Sequence, residues 1–175
     1  MNTPPAVRPP ANSKIAHRLE GADFYDAWAI DATDPSLSAL GQFLKSIKST
    51  PRWVDACMTL RNRAVQLVGL KNLGELSGID PAKRDIDYRS GDRVGIFTLF
   101  ENTPDEALLG DRDKHLDVML SVHCARPASQ PVRVTVTTVV HTRNRLGRLY
   151  MLPVKPMHKL IAPSVLRAIG APAAV

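Results

Sequence analysis

The sequence contains little cysteine and no long apolar run. Its two cysteines, Cys57 and Cys124, lack the spacing of a zinc site or a redox pair, so we expect both to be buried thiols. No apolar stretch approaches the ~20 residues needed to span a bilayer. Residues 1–12 contain four prolines where a signal peptide would have an apolar core. These absences lead us to expect a cytoplasmic protein.

Aromatic residues and the common catalytic motifs are also scarce. Phe, Trp and Tyr make up 5% of the chain, and no RNA-recognition, zinc-finger or helix-turn-helix signature occurs, which argues against nucleic acid as a partner. There is no Gly-rich dinucleotide fingerprint and no Gly-x-Ser-x-Gly elbow. Acidic residues alternate over residues 111–117, but two of them fall in a predicted turn and no second cluster supports them. We therefore predict neither a cofactor nor a metal ion.

Acidic residues are absent from the last part of the chain. The protein carries a net charge of +6, and residues 126–175 contain eight Lys or Arg and no Asp or Glu. This asymmetry is compatible with an anionic small molecule, with an anionic membrane surface, or with a solvated helix face.

Apolar residues recur at helical spacing in two early segments and at strand spacing in five others. We predict helices over residues 36–47 and 50–70, the second with Thr50 as its N-cap, and a loop over residues 71–90. The predicted strands cover residues 22–30, 94–101, 107–109, 115–124 and 132–142. The last four follow one another through short turns, which predicts an antiparallel meander rather than parallel βαβ units.

A long helical segment over residues 144–169 follows the last strand. Asn144 is a suitable N-cap, and apolar residues recur every three or four positions after it. Prolines at positions 153, 156 and 163 each remove a helical hydrogen bond, so we predict a break near residues 153–156. Residues 1–20 are predicted to be a disordered or extended lead-in, residues 21–170 a single domain, and residues 171–175 a tail.

The predicted elements follow the order of the α+β helix-grip fold. In that fold a bent antiparallel sheet wraps a long C-terminal helix and leaves a cavity between them; here two short helices follow the first strand. A closer resemblance rests on the runs Trp53-Val54, Leu60-Arg61-Asn62, Gly95-Ile96-Phe97, His115-Leu116-Asp117, Val140-His141 and the stretch from Asn144 to Tyr150.

With these runs, residues 21–169 resemble an uncharacterised bacterial domain-of-unknown-function family. That family lies in the START-like, polyketide-cyclase-like (SRPBCC) superfamily. Its members occur alone or fused behind an NAD(P)-binding short-chain-dehydrogenase-like domain. The resemblance implies a fold and an internal cavity, and it brings no established activity or catalytic residue.

Polar residues on one face of a strand are the candidates for contacting a molecule in such a cavity. His115, Asp117 and Ser121 share a face of their strand, and they would converge on the cavity if that face is concave or sit in water if it is convex. His141 is the best candidate for proton transfer because imidazole titrates near neutral pH, and Asp117 is its candidate partner.

Two further groups could meet an anion. Arg61, next to Asn62, could clamp a carboxylate or phosphate, or could pair with Asp117 as a structural bridge. Asn144, Arg148 and Tyr150 lie at the start of the last helix, where free amides favour an anion or where they serve as a cap, a solvated cation and a core residue.

Three functions fit these residues. The first is binding of a small apolar or amphipathic molecule, with or without an anionic end, in an internal cavity. The second is a cyclase- or hydratase-type enzyme that uses His141 and Asp117 on a polyketide-like substrate, and the third is association of the basic C-terminal helix with an anionic membrane. The predicted ligand-binding residues are Trp53, Arg61, Asn62, His115, Ser121, Thr138, Asn144, Arg148 and Tyr150.

Overall fold

The computed structural model describes residues 3–66, 76 and 78–171. Three α-helices span α1 (Ala39–Lys48), α2 (Arg52–Gln66) and α3 (Arg145–Leu166) over these residues. The strands are β1 (Phe24–Asp31), β2 (Arg93–Val94), β3 (Phe97–Asn102), β4 (Glu106–Arg112), β5 (Leu116–Ala125) and β6 (Arg133–Thr142). Short 3-10 helices occupy Lys14–Arg18 and Asp85–Asp87.

The strands form one antiparallel sheet in the order β1-β6-β5-β4-β3-β2. Strands β2 to β6 are a meander, and β1 pairs with β6 at the far edge. The predicted α+β class, the antiparallel meander and the C-terminal helix are therefore confirmed. The end of the second predicted helix, residues 67–70, lies outside the described residues, as do residues 71–75 and 77 of the predicted loop. The described rest of that loop, residues 76 and 78–90, contains no α-helix or strand and only the 3-10 helix Asp85–Asp87.

One predicted strand is two strands in the structure. The alternation over residues 94–101 suggested a single strand, but the chain turns between β2 and β3 at Gly95. Gly95 has a φ of +58°, and a Cβ there would lie 2.3 Å from the Leu76 carbonyl oxygen. Only glycine accepts both the positive φ and this close approach without strain, so the turn depends on it.

The two faces of the sheet are covered by different parts of the chain. Because successive side chains of a strand point to opposite faces, Leu120 and Val122 of β5 face the helices while Met119 and Ser121 face away. Helix α1 packs across β4 and β5, and α3 packs across β1 and β6. The main apolar core lies between the sheet and these helices.

The N-terminal segment covers the other face, and within the predicted lead-in of residues 1–20 it forms a 3-10 helix over Lys14–Arg18. Ser13 caps the first 3-10 helix, and Ile15 packs against Met119 and Val139. Ser13 also donates a hydrogen bond to Glu106, a buried acid of β4. Apolar and acidic residues of the outer sheet face are the partners of this segment.

Helix α3 is continuous, which corrects the predicted break near residues 153–156. Asn144 caps it as predicted, by accepting a hydrogen bond from the Gly147 amide at 3.0 Å. Pro153 and Pro156 lie on exposed positions, where carbonyls that have lost their donor can bond to water. Met151 and Leu166 of α3 are buried, and this burial stabilises the helix despite its prolines.

Candidate functional site

A cavity of about 670 Å³ lies between the inner face of the sheet and α3. Residues of α1 and α2 also line it, together with Ile96 and with Phe97 at the start of β3. Its wall is mainly aliphatic, with side chains from the sheet and from α3: Leu116, Val118, Leu120, Val136, Val140, Leu146, Leu149, Met157 and Ile161.

The pleat of the sheet decides which residues line this cavity. In β5 the residues that reach it are Leu116, Val118 and Leu120, and in β6 they are Val136, Thr138 and Val140. Each of these sets shares one face of its strand, because side chains alternate between the faces. The inner face is therefore the aliphatic one, and polar groups reach the cavity at only a few positions.

The most organised polar group on the cavity wall joins β1, β6 and α3. His158 lies in the second half of α3, and its Nδ1 donates a hydrogen bond to the Asp26 carboxylate of β1 at 3.0 Å. Its Nε2 is 3.5 Å from the hydroxyl of Thr138 on β6, opposite Asp26 in the strand pairing. Phe24 meets the imidazole edge-on, with ring centroids 5.7 Å apart. His158, Thr138 and Phe24 all line the cavity.

The Asp26–His158 pair is largely shielded from solvent. The side chain of Asp26 is 11% exposed and that of His158 is 25% exposed. Asp26 Oδ1 is buried and has no hydrogen-bond partner within the described part of the chain. A buried carboxylate oxygen without a donor is costly, and such atoms occur most often at functional sites or beside bound water.

Sequence reasoning missed this group, although a signal for it exists. His158 interrupts the apolar face of α3 formed by Val154 and Ile161, at steps of four and three residues. Asp26 likewise stands between Phe24 and Trp28 on the inner face of β1. Each is a single polar residue at an apolar position, but only the folded chain shows that they meet, 132 positions apart.

A second polar group lies where α2 meets α3. The Nε of Arg61 donates to the Tyr150 hydroxyl at 2.9 Å, and its guanidinium carbon is 5.4 Å from the centre of the Tyr150 ring. Another N–H of Arg61 donates to the Asn62 side chain at 2.8 Å. Arg61 and Tyr150 line the cavity, as do Asp111 and Asp113, so its mainly apolar wall contains charged side chains of both signs.

The remaining candidates from β5 and β6 lie on the outer face of the sheet. Asp117 pairs with Arg112 and Arg143 at 3.5 Å each, and not with Arg61 as the sequence allowed. His141 approaches the Glu20 carbonyl oxygen at 3.3 Å through its Nε2. Asp117 and His141 face each other in the strand pairing, but on the side of the sheet away from the cavity.

His115 and Ser121 have structural partners instead of cavity contacts. The Asn144 side-chain amide donates to His115 Nδ1 at 2.9 Å, which joins the start of α3 to the start of β5. Ser121 is fully buried on the outer face and donates to Glu106 at 2.7 Å. These polar residues neither line the cavity nor sit in water, because other chain segments cover them.

Besides His115 and Ser121, four predicted ligand-binding residues lie away from the cavity wall, namely Trp53, Asn62, Asn144 and Arg148. Trp53 is 42% exposed on α2, and Arg148 is exposed on the first turn of α3. Arg148 and His141 lie near Asp23, whose carboxylate accepts a hydrogen bond from the Thr142 amide at 2.6 Å. That hydrogen bond lowers the pKa of Asp23 below its usual value, with smaller contributions from the two basic residues.

Among the described residues, no group of three or more His, Cys, Asp or Glu side chains is arranged to hold a metal ion. No helix in the described ranges is both long and apolar enough to cross a bilayer.

Residues 18–165 match the model of the family described as "Protein of unknown function (DUF2867)". The chain belongs to this family. The DUF2867 match runs from the first 3-10 helix to the end of α3, so it includes every element that surrounds the cavity. It confirms the expected domain-of-unknown-function family. No curated protein and no solved structure matches the chain.

Proposed function

We propose that this DUF2867 protein is a helix-grip, START-like binding protein for one small apolar or amphipathic molecule. The observation that carries the proposal is the cavity of about 670 Å³ between the sheet and α3. Its volume falls within the ~300–1,000 Å³ typical of small-molecule sites, and its wall combines many apolar side chains with a few polar ones. The order of the elements, with α3 across the inner face of the sheet, supports the assignment to the superfamily.

The polar groups of the wall suggest the chemistry of the bound molecule. Arg61 offers a planar cation that suits a carboxylate or phosphate end, and Tyr150 holds this cation at the cavity wall. The aliphatic residues of β5, β6 and α3 suit an apolar body. The molecule that fits this arrangement is amphipathic and has one anionic end.

A fluorescence titration tests the proposal with 8-anilinonaphthalene-1-sulfonate, which has an apolar ring system and an anionic end. We expect saturable binding at one site. Ala162 of α3 lines the cavity, so Ala162→Phe should fill part of it and weaken binding at least about tenfold, which corresponds to ~1.4 kcal/mol. Native mass spectrometry of the protein purified from its own source should show a retained small molecule.

The matched control is Ala56→Phe, which adds the same side chain at an exposed position of α2. It should leave the titration unchanged. Equal binding by both variants would show that the dye adheres to the surface, and absence of saturable binding by the wild-type protein would contradict a ligand cavity.

The other two functions have less support from the geometry. An enzyme that uses His141 and Asp117 together would act outside the cavity, because both lie on the outer face of the sheet. Association with an anionic membrane stays a prediction. Exposed Leu149, Leu152 and Leu160 on α3 are compatible with it, since they lie on the same helix as several cations.

A further inference from the structure

His158 has a fixed orientation at the cavity wall. The Asp26 carboxylate can only accept a hydrogen bond, so in the neutral imidazole Nδ1 carries the proton and Nε2 carries the lone pair. Asp26 belongs to the edge strand and His158 to the helix, so the pair forms only in the folded protein. The side chain therefore presents a basic nitrogen in a defined direction.

That nitrogen has a weak partner. The Thr138 hydroxyl is 3.5 Å from Nε2, at the long limit of a hydrogen bond. Apart from Thr138, the described neighbours of His158 on the cavity side include Phe24 and the aliphatic residues of α3. A molecule in the cavity can thus displace this contact without breaking a strong interaction.

We propose that His158 is the general base of a proton-transfer reaction at carbon, with Asp26 as its positioning residue and Thr138 as the donor to the developing oxyanion. The inference rests on the proposed function, because it requires a molecule in the cavity. The substrate class is an apolar carbonyl compound with a carbon–carbon double bond one carbon away from the carbonyl group and a C–H bond on the carbon between them. The reaction class is isomerisation.

The step balances without any co-reactant. Nε2 of His158 takes the proton from the carbon beside the carbonyl group; the C–H bond breaks, and its electron pair moves to form the enolate. The Thr138 hydroxyl turns from Nε2 to the enolate oxygen and stabilises its charge. The imidazolium, held by Asp26, then returns the proton to a different carbon of the conjugated system, which shifts the double bond.

The arrangement favours carbon acids over other substrates for a physical reason. A proton on carbon is removed efficiently only by a base that is fixed within reach and poorly solvated, which the shielded Asp26–His158 pair supplies. No nucleophilic serine or cysteine lies in hydrogen-bond contact with His158 among the described residues, which separates this site from acyl-transfer sites.

The Kemp elimination of 5-nitrobenzisoxazole tests for such a base when the natural substrate is not known. A base removes the proton from the ring carbon, the N–O bond breaks, and 2-cyano-4-nitrophenolate forms with no other reactant. For the wild-type protein we expect a second-order rate constant at least about 100-fold above that of free imidazole, in line with the ~10²–10⁴ contributed by a positioned base.

Variants assign the activity to the residue. His158→Gln should lower the rate constant about 100-fold, to the level of free imidazole, since the basic nitrogen is gone. His17→Gln removes an exposed histidine from the N-terminal 3-10 helix and should leave the rate constant unchanged. Binding of 8-anilinonaphthalene-1-sulfonate by His158→Gln shows that the variant still folds around its cavity.

Asp26 is tested through the imidazole rather than through the rate alone. In Asp26→Asn the side-chain amide can donate a hydrogen bond to Nδ1, which a carboxylate cannot do. The variant can therefore favour the tautomer of His158 that carries its proton on Nε2. Nitrogen-15 spectra of the His158 ring should therefore change from the Nδ1–H to the Nε2–H pattern, together with a fall in the rate constant of about tenfold or more. A purely structural Asp26 would leave the tautomer unchanged.

The outcomes separate this inference from the binding function. Loss of elimination in His158→Gln with retained dye binding supports it. Two results would contradict the role of His158 as a base and leave the binding function unaffected. One is an equal elimination rate constant in the wild-type protein and His158→Gln. The other is a wild-type protein that binds the dye but catalyses the elimination no faster than free imidazole. Failure of the wild-type protein to bind the dye overturns both.

Discussion

Buried polar atoms without a hydrogen-bond partner occur on both faces of the sheet. On the outer face Glu106 accepts hydrogen bonds from Ser13, Ser121 and the Lys14 amide, whereas Asp117 Oδ1, His123 Nδ1 and Thr137 Oγ1 have no partner among the described residues. On the inner face Asp26 Oδ1 and Trp28 Nε1 have no partner among the described residues. Each unpaired buried atom costs ~1–3 kcal/mol. Both faces therefore carry this cost, and on the inner face Asp26 Oδ1 belongs to the carboxylate that binds His158 at the cavity wall.

A single buried thiol should make stability fall in alkaline solution. Burial raises the pKa of Cys124 to about 11 from the ordinary 9.0. The folded protein therefore keeps the neutral thiol between these values while the unfolded chain ionises. The contribution of the Cys124 thiol to the free energy of unfolding is therefore fully present below pH 9. It is lost as the pH rises towards 11, and the loss amounts to up to ~3 kcal/mol.

Urea unfolding at pH 8, 9, 10 and 11 measures this loss. Cys124→Ala should remove that part of the pH dependence, although it also lowers stability at every pH because it leaves a cavity. Cys57→Ala, which removes the thiol on the cavity wall, should keep the alkaline loss. Identical pH profiles for the two variants would contradict the assignment to Cys124.

At the scale of elements, the position of α3 depends on its first turn. Gly147 packs against the end of the turn before β5, and a Cβ on it would lie 2.3 Å from the His115 carbonyl oxygen. Asn144 joins the same two elements by accepting from the Gly147 amide and donating to His115. The cavity is bounded by α3, so its width depends on this contact.

Gly147→Ala should therefore destabilise the protein, although alanine is the better helix former. The methyl group must displace backbone atoms, for which a cost of ~1–3 kcal/mol is typical of an overpacked site. The change is measured by urea unfolding. Lys159→Ala, on an exposed position of the same helix, should stay within ~0.5 kcal/mol of wild type. A Gly147→Ala variant as stable as wild type would show that α3 shifts freely against β5.

Local patterns predicted the elements well where one face of an element is buried. The alternation in β5 and β6 fixed both strands, and Asn144 marked the start of α3. The patterns failed where a distant contact decides the conformation, as at Gly95, which turns under the Leu76 carbonyl group. They also failed at Pro153 and Pro156, where the contacts of the whole helix outweigh a local cost.

The candidate site was harder to predict than the elements. Arg61, Thr138 and Tyr150 were predicted and line the cavity, but the choice between the two faces of β5 and β6 could not be made from alternation alone. Periodicity predicts which residues of a strand share a face. It does not predict which of the two faces is covered by the helices. The pairing of Asp26 with His158 is a tertiary contact, which no local pattern contains.

At the scale of the whole molecule the protein has three layers, since the N-terminal segment covers the outer face of the sheet. Glu106 anchors this segment by accepting from Ser13 at 2.5 Å and from the Lys14 amide at 3.1 Å. Ile15 adds an apolar contact beside it. The segment is therefore part of the folded domain, and its attachment can be tested apart from the cavity.

Glu106→Gln should loosen this layer selectively. The new amide group presents hydrogens to donors that need an acceptor, at a cost of ~1–3 kcal/mol for a buried site. Hydrogen exchange of the amides at residues 13–19 should accelerate, while dye binding in the cavity stays unchanged. Glu101→Gln, which removes an exposed ion pair with the side chain of Lys14, should change stability by less than ~1 kcal/mol. Unaltered exchange in Glu106→Gln would contradict this anchoring role.

The first residues of the chain have one more effect, on self-association. The Val7 amide donates to the Ala27 carbonyl oxygen and the Ala29 amide donates to the Pro5 carbonyl oxygen, so backbone from the N-terminus occupies the outer edge of β1. Uncovered edges of this kind recruit strands from other molecules and start aggregation. The covering segment is rich in proline, which has no amide hydrogen to donate. It therefore covers the edge of β1 without presenting a complete set of backbone donors to a strand of another molecule.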